Sequence, residues 1–205
     1  MQTISLHKLK NKKYKIFDFK GEWKDSFGQP EISSRWLIYG HSGSGKTEFA
    51  VQLSNYMSQY GKVLYYSKEQ SDKNSIAKCF ARNDMFDNKK VSLAIDGGFD
   101  DLISKLNKRN YYKTIVIDSI DYLQLTTEQY KELDKYKTKC IIFVSWQEGK
   151  RPKSSAGKAI EYMVDVKIHV DAYVAKVRSR YEGNLPFVIW EEGAIRSKKH
   201  AFLNR

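Results

Sequence analysis

A chain of 205 residues suits one domain with a real core, and 41% hydrophobic with 14% aromatic content excludes a disordered protein. Its net charge of +12 favours an acidic partner such as nucleic acid, solubility being the duller reading. Cys79 and Cys140 sit at no metal-like spacing and point to a reducing compartment; no run approaches membrane-spanning length and no apolar leader opens the chain, so a cytoplasmic protein with no membrane contact is expected.

Residues 1–35 read as a basic N-terminal arm. His7, Lys8, Lys10, Lys12, Lys13 and Lys15 crowd its first half, and Tyr14, Ile16, Phe17 and Phe19 follow in a strand-like alternation. The arm fits a solvated segment and a nucleic-acid or subunit contact equally well. Trp23, Phe27 and a Gly28-Gln29-Pro30 turn then lead into the apolar run Trp36–Tyr39.

That run ends in Gly40-His41-Ser42-Gly43-Ser44-Gly45-Lys46-Thr47, which fits G-x-x-x-x-G-K-[ST] at every fixed position. Glycines let the backbone turn its N–H groups inward around phosphates. Lys46 reaches the β- and γ-phosphates, the Thr47 hydroxyl can ligate Mg²⁺, and a helix opening at Lys46 adds its positive end. Phe49, Ala50, Leu53 and Met57 give that helix an apolar face. The combination reads as a P-loop NTPase with ATP and Mg²⁺ as ligands.

Gly61 ends the helix, and Val63–Ser67 is a second buried strand running into Lys68-Glu69-Gln70. Helical patterns over Lys73–Arg82 and Phe99–Lys108 bracket a strand at Val91–Ile95. The run Thr114-Ile115-Val116-Ile117 ends in Asp118; a helix over Glu128–Tyr136 and a strand over Cys140–Ser145 follow. This rhythm predicts an α/β fold, a mostly parallel central sheet flanked by helices. A polar loop from Gln147 to Ser155, a short helix over Ala156–Met163, and alternation at Val166–Val170, Tyr173–Val177 and Phe187–Trp190 add an antiparallel C-terminal extension. The core is expected over residues 36–195, with a basic, frayed tail over 196–205.

Open parallel sheets bind ligands beyond the carboxyl ends of their strands, and three such ends carry nucleotide chemistry. Asp118 reads as the acid that holds Mg²⁺, with a helix cap as the alternative. Glu69 can act as general base for the attacking water. Gln147 can sense the γ-phosphate and pass that state into the following loop, while Trp146 reads as a packed residue, with a stacking surface for nucleic-acid bases as the alternative.

Taken together, Gly40–Thr47, Val63–Gln70, Ile115–Leu125, Phe143–Gln147 and Ala156–Val170 resemble the core of RecA-like ATPases, with RadA/Sms-type and DnaB-type branches nearest. The resemblance covers roughly residues 36–191. It implies a RecA-like P-loop NTPase fold, Glu69 as catalytic glutamate, and a homo-oligomeric ring or filament in which basic residues of one subunit complete the neighbour's site. The finger region is Lys176–Gly183, where Lys176 with Arg178 and Arg178 with Arg180 are competing registers; an arginine finger is worth roughly 10³–10⁵ in rate. The loop after Gln147 stands where RecA-like recombinases bind DNA. Lys150, Arg151, Lys153 and Lys158 supply charge there, and four phosphate contacts to single-stranded DNA would give a salt slope of about −3. No zinc-finger, protease-like or primase-interaction segment is recognisable in the sequence. The expected function is ATP hydrolysis coupled to DNA binding in recombination, repair or replication. The alternatives are a KaiC-like assembly or switch ATPase acting on protein partners and, further off, a small-molecule kinase.

Overall fold

The structure, a computed structural model, describes residues 3–69, 74–108 and 111–203, the last six as backbone only. Gln70, the expected helix start at Lys73 and the final two residues of the expected tail lie outside them. In chain order the elements are α1 (Leu6–Lys10), α2 (Gly21–Phe27), β1 (Arg35–Gly40), α3 (Lys46–Met57), β2 (Val63–Ser67), α4 (Asn74–Arg82), β3 (Val91–Ala94), α5 (Phe99–Asn107), β4 (Thr114–Asp118), α6 (Thr127–Leu133), β5 (Cys140–Glu148), β6 (Arg151–Pro152), α7 (Ser155–Met163), β7 (Val166–Asp171), β8 (Val174–Ser179), β9 (Phe187–Val188) and α8 (Glu191–Leu203).

The strands lie in the order β3-β2-β4-β5-β1-β7-β8-β9, with β6 paired to β5 off this path. From β3 to β7 every pairing is parallel, and β8 and β9 continue the sheet antiparallel. This is the α/β P-loop NTPase fold expected from the alternation of strands and helices. The inner strands are buried on both faces, which is why they read as continuous apolar runs.

Strand parity divides the core in two. Ile38, Tyr65, Val116, Ile142 and Val144 face α3 and join an aromatic-rich cluster containing Phe19, Phe27, Trp36, Phe49 and Phe187. Leu37, Leu64, Ile115, Ile117 and Phe143 face the other way, toward Leu102, Leu106, Tyr130, Leu133 and Ile160 of α5, α6 and α7. Arg35 is buried at the start of β1, where its guanidinium donates to the carbonyls of Ser33, Lys139, Tyr136 and Asp134 at 2.6, 2.8, 3.1 and 3.2 Å.

Several local expectations change. The alternation at Tyr14–Phe19 forms only a single bridge, Ile16 with Glu31, because Phe17 and Phe19 turn into the aromatic cluster instead of pairing with a strand. Gln147–Ser155 is not wholly a loop: β5 runs on to Glu148 and folds back as a hairpin onto β6. The chain from Glu191 to Leu203 is helical, in place of a frayed tail from Arg196 on. Among the described residues no helix is long and apolar enough to cross a membrane.

Candidate nucleotide-binding site

β1 delivers the Gly40–Thr47 loop to the carboxyl edge of the sheet, and α3 opens at Lys46 behind it. Gly45 caps α3 with φ 103°, a left-handed conformation that disfavours a side chain, and a Cβ there would stand 2.8 Å from the Tyr173 ring. Gly40 is pinned by approach alone, since its Cβ would meet the Val170 carbonyl oxygen at 2.2 Å. Within the loop the Lys46 ammonium donates to the His41 carbonyl at 2.8 Å, and the buried Ser44 hydroxyl has no hydrogen-bond partner among the described residues. Backbone amides, an inward lysine and an unsatisfied hydroxyl make a cradle that fits phosphate oxygens.

The loop, Lys46, Thr47 and Glu69 line a cavity of about 560 Å³, walled further by Glu48, Arg82, Tyr122, Trp146 and Tyr173. Burial depresses the Lys46 pKa, opposed by the negative charges of Glu69, Asp118 and Asp121. His41, Ser42 and Gly43 are exposed at the rim.

Asp118 lies close enough to Thr47 and Lys46 for both to favour its charged form, and Tyr65 Oη donates to its Oδ2 at 2.6 Å. Burial lifts the Asp118 carboxyl to about 6, with Glu69 pushing the same way and Tyr65, Lys46 and Thr47 opposing. The β2–β4 register continues past the strand ends, where the Lys68 and Glu69 amides both donate to the Asp118 carbonyl, at 2.7 and 3.4 Å. Glu69 is thereby held beside Asp118. Among the described residues no group of three or more His, Cys, Asp or Glu side chains could hold a metal. A hydroxyl and one carboxylate are, however, the donors Mg²⁺ takes alongside phosphates and water.

Trp146, which reads from sequence as a packed residue, carries a polar contact in the site. Its indole N–H donates to Glu69 Oε2 at 3.0 Å, and its backbone N–H donates to Asp121 Oδ2 at 2.7 Å. Parity was the available signal: Ile142 and Val144 face α3, so Trp146 does too. The same parity turns Gln147 away from the cavity. Its side chain joins His169 Nε2 at 2.8 Å and the Gly149 carbonyl at 2.7 Å. Tyr173, which carries no motif, also belongs to the site; it arrives from the β7–β8 turn, where its N–H donates to the Ser44 carbonyl at 3.0 Å.

The remaining candidates lie apart. Lys176 pairs with Asp171 and Arg180 with Asp165, at 3.1 and 3.2 Å, while Arg178 is exposed on β8; none of the three lines the cavity. Lys150 and Lys158 are exposed, Lys153 lies 5.4 Å above the Trp146 ring, and Arg151 is tied to Glu161 at 2.9 Å.

A family model described as an AAA domain matches residues 33–140. The matched stretch takes in the phosphate loop, Glu69 and Asp118 and ends at the first residue of β5. The chain is also similar to an ORC1-type DNA replication protein of Picrophilus torridus, 29% identical over 101 residues, covering 45% of this chain and 24% of the relative. The chain thus spans about a quarter of that relative's length.

Proposed function

As this chain belongs to the AAA domain family of P-loop ATPases, we propose that it hydrolyses ATP with Mg²⁺ and couples nucleotide state to DNA, single-stranded by preference. The observation that carries the reading is the convergence of Lys46, Thr47 and Glu69 on one cavity, with the buried Asp118 carboxyl close enough to feel all three. Lys46 leaves the His41 carbonyl to hold the β- and γ-phosphates, and the amides at the α3 N-terminus bind their oxygens. Thr47 and Asp118 would hold Mg²⁺, which when bound would neutralise charge on the phosphates. Glu69 orients the attacking water and accepts its proton.

The DNA arm of the proposal is supported by the exposed cations Lys150, Lys153 and Lys158 after β5, by the net charge of +12, and by the replication-protein relative. RecA-like ancestry, a homo-oligomeric ring or filament, and a role in recombination, repair or replication belong to the same proposal. The exposed Arg178 stands outside its own subunit's cavity, as a residue completing a neighbour's site must; Lys176 and Arg180 are the alternatives in that stretch. The basic arm at 1–35, the ATPase core at 36–195 and the tail at 196–205 are its proposed divisions.

The test is ATP turnover with and without single-stranded DNA at two salt concentrations, with Lys46→Ala as control. Salt-sensitive stimulation supports the reading. Turnover indifferent to DNA overturns the DNA arm and favours a KaiC-like switch on protein partners; no turnover beyond the Lys46→Ala level overturns hydrolysis itself.

A further inference from the structure

Glu69 occupies a cavity that also holds an ammonium group. Lys46 and Glu69 interact across it, and an untethered carboxylate there would swing onto the lysine and be lost as a base. Among the described residues, the side-chain tether on Glu69 is the Trp146 indole N–H, 3.0 Å from Oε2. Indole is a neutral donor with no acceptor, so it can aim a carboxylate without cancelling its charge.

The indole is itself confined. Its backbone N–H is bonded to Asp121, which also accepts from the Ser145 hydroxyl at 3.0 Å. The Tyr122 ring meets it edge-on, with centroids 5.0 Å apart at 88°, and Lys153 lies over it. Trp146 also forms a wall of a second cavity of about 650 Å³, bordered by Asp121, Glu148, Lys153 and Ser154. One ring therefore separates the nucleotide cavity from the segment that carries the exposed lysines.

We propose that Trp146 is a positioning residue for Glu69, its indole N–H fixing the carboxylate so that the segment after β5 governs where the base points. This rests on the reading of Glu69 as general base. Gln147, the residue expected from sequence to carry that coupling, is turned to the far face; its neighbour has the geometry for it.

The test uses the full chain labelled with ¹⁵N at the indole nitrogens, free of nucleotide. Four tryptophans give four side-chain resonances, and the one missing from Trp146→Phe identifies Trp146. Glu69→Ala is expected to move that resonance and leave the others in place; an unmoved resonance overturns the proposal. In turnover, Trp146→Phe is expected to lower kcat by about 10²-fold, the scale of a misplaced catalytic group, with nucleotide affinity within about twofold. If Glu69→Gln turns over at the native rate, the base assignment falls and the proposal with it. If Glu69→Gln is inactive while Trp146→Phe keeps the native kcat, the proposal alone falls. Should Trp146→Phe fail to fold, the resonance can be assigned through Tyr122→Ala, which removes the ring packed against it, and the Glu69→Ala shift still decides.

Discussion

The Tyr65 hydroxyl reaches Asp118 Oδ2 at 2.6 Å in a place where Tyr65 is fully buried and Asp118 is 2% exposed. A carboxyl in that setting resists ionisation, and burial raises Asp118 from 3.8 to about 6. Because the folded value is raised, the stability belonging to the protonated form is present below about pH 4 and is lost as pH climbs through about 6. Asp118→Asn fixes the neutral form. In the nucleotide-free protein this variant is expected to melt above the wild type at pH 7.5, by at most about 3 kcal/mol. The gap should narrow to about 1 kcal/mol at pH 4.5 and close by about pH 3, and a gap that ignores pH would overturn this reading.

Arg35 joins the start of β1 to the chain between α6 and β5 through the carbonyl oxygens of Asp134, Tyr136 and Lys139 and an ion pair with the Asp134 carboxylate. Arg35→Met keeps the stem and strips the donors, leaving those carbonyls unpaired. We expect a loss of about 3 kcal/mol or more in urea unfolding. A change within about 0.5 kcal/mol would mean that water replaces the guanidinium there.

Tyr173 stands against Gly45 and walls the nucleotide cavity, while Trp190 meets its ring edge-on at 5.0 Å. Tyr173→Ala removes that wall and the support of the phosphate loop. Nucleotide affinity is expected to fall about tenfold, or about 1.4 kcal/mol, in a titration with a fluorescent ATP analogue. Tyr173→Phe should bind as the wild type does, since the ring that walls the cavity and packs on Gly45 is kept.

Arg151 is already paired with Glu161, so three cations of the segment, not four, are left for phosphates. The slope of log K against log salt for single-stranded DNA should therefore lie near −2. Lys150→Ala, Lys153→Ala and Lys158→Ala together should flatten it, whereas Arg151→Ala should leave it nearly unchanged. Equal effects from all four would mean that DNA breaks the Arg151–Glu161 pair.

The parts of the molecule legible from the sequence are those that repeat a pattern. The apolar runs at Trp36–Tyr39, Val63–Ser67 and Thr114–Ile117 announce buried parallel strands, and the spacing from Gly40 to Thr47 announces the phosphate loop. What escapes depends on contacts between distant residues. Nothing local to Phe17 and Phe19 says they will join Trp36 and Tyr56, and Tyr173 lies more than a hundred residues from the loop it supports. Trp146 is the instructive case. The alternation of β5, carried outward from Ile142 and Val144, is enough by itself to put Trp146 on the α3 face and Gln147 on the other.

A two-residue hairpin tip exposed to water is ordinarily where a chain accepts extra residues without complaint. The tip between β7 and β8 is not such a place. Ala172 and Tyr173 turn with φ of 48° and 59°, and the Tyr173 amide holds the Ser44 carbonyl. The last strands of the sheet therefore end as a buttress under the phosphate loop. An insertion tolerated at the tips of most hairpins would here be felt first, more than a hundred residues upstream, as a slackened grip on nucleotide.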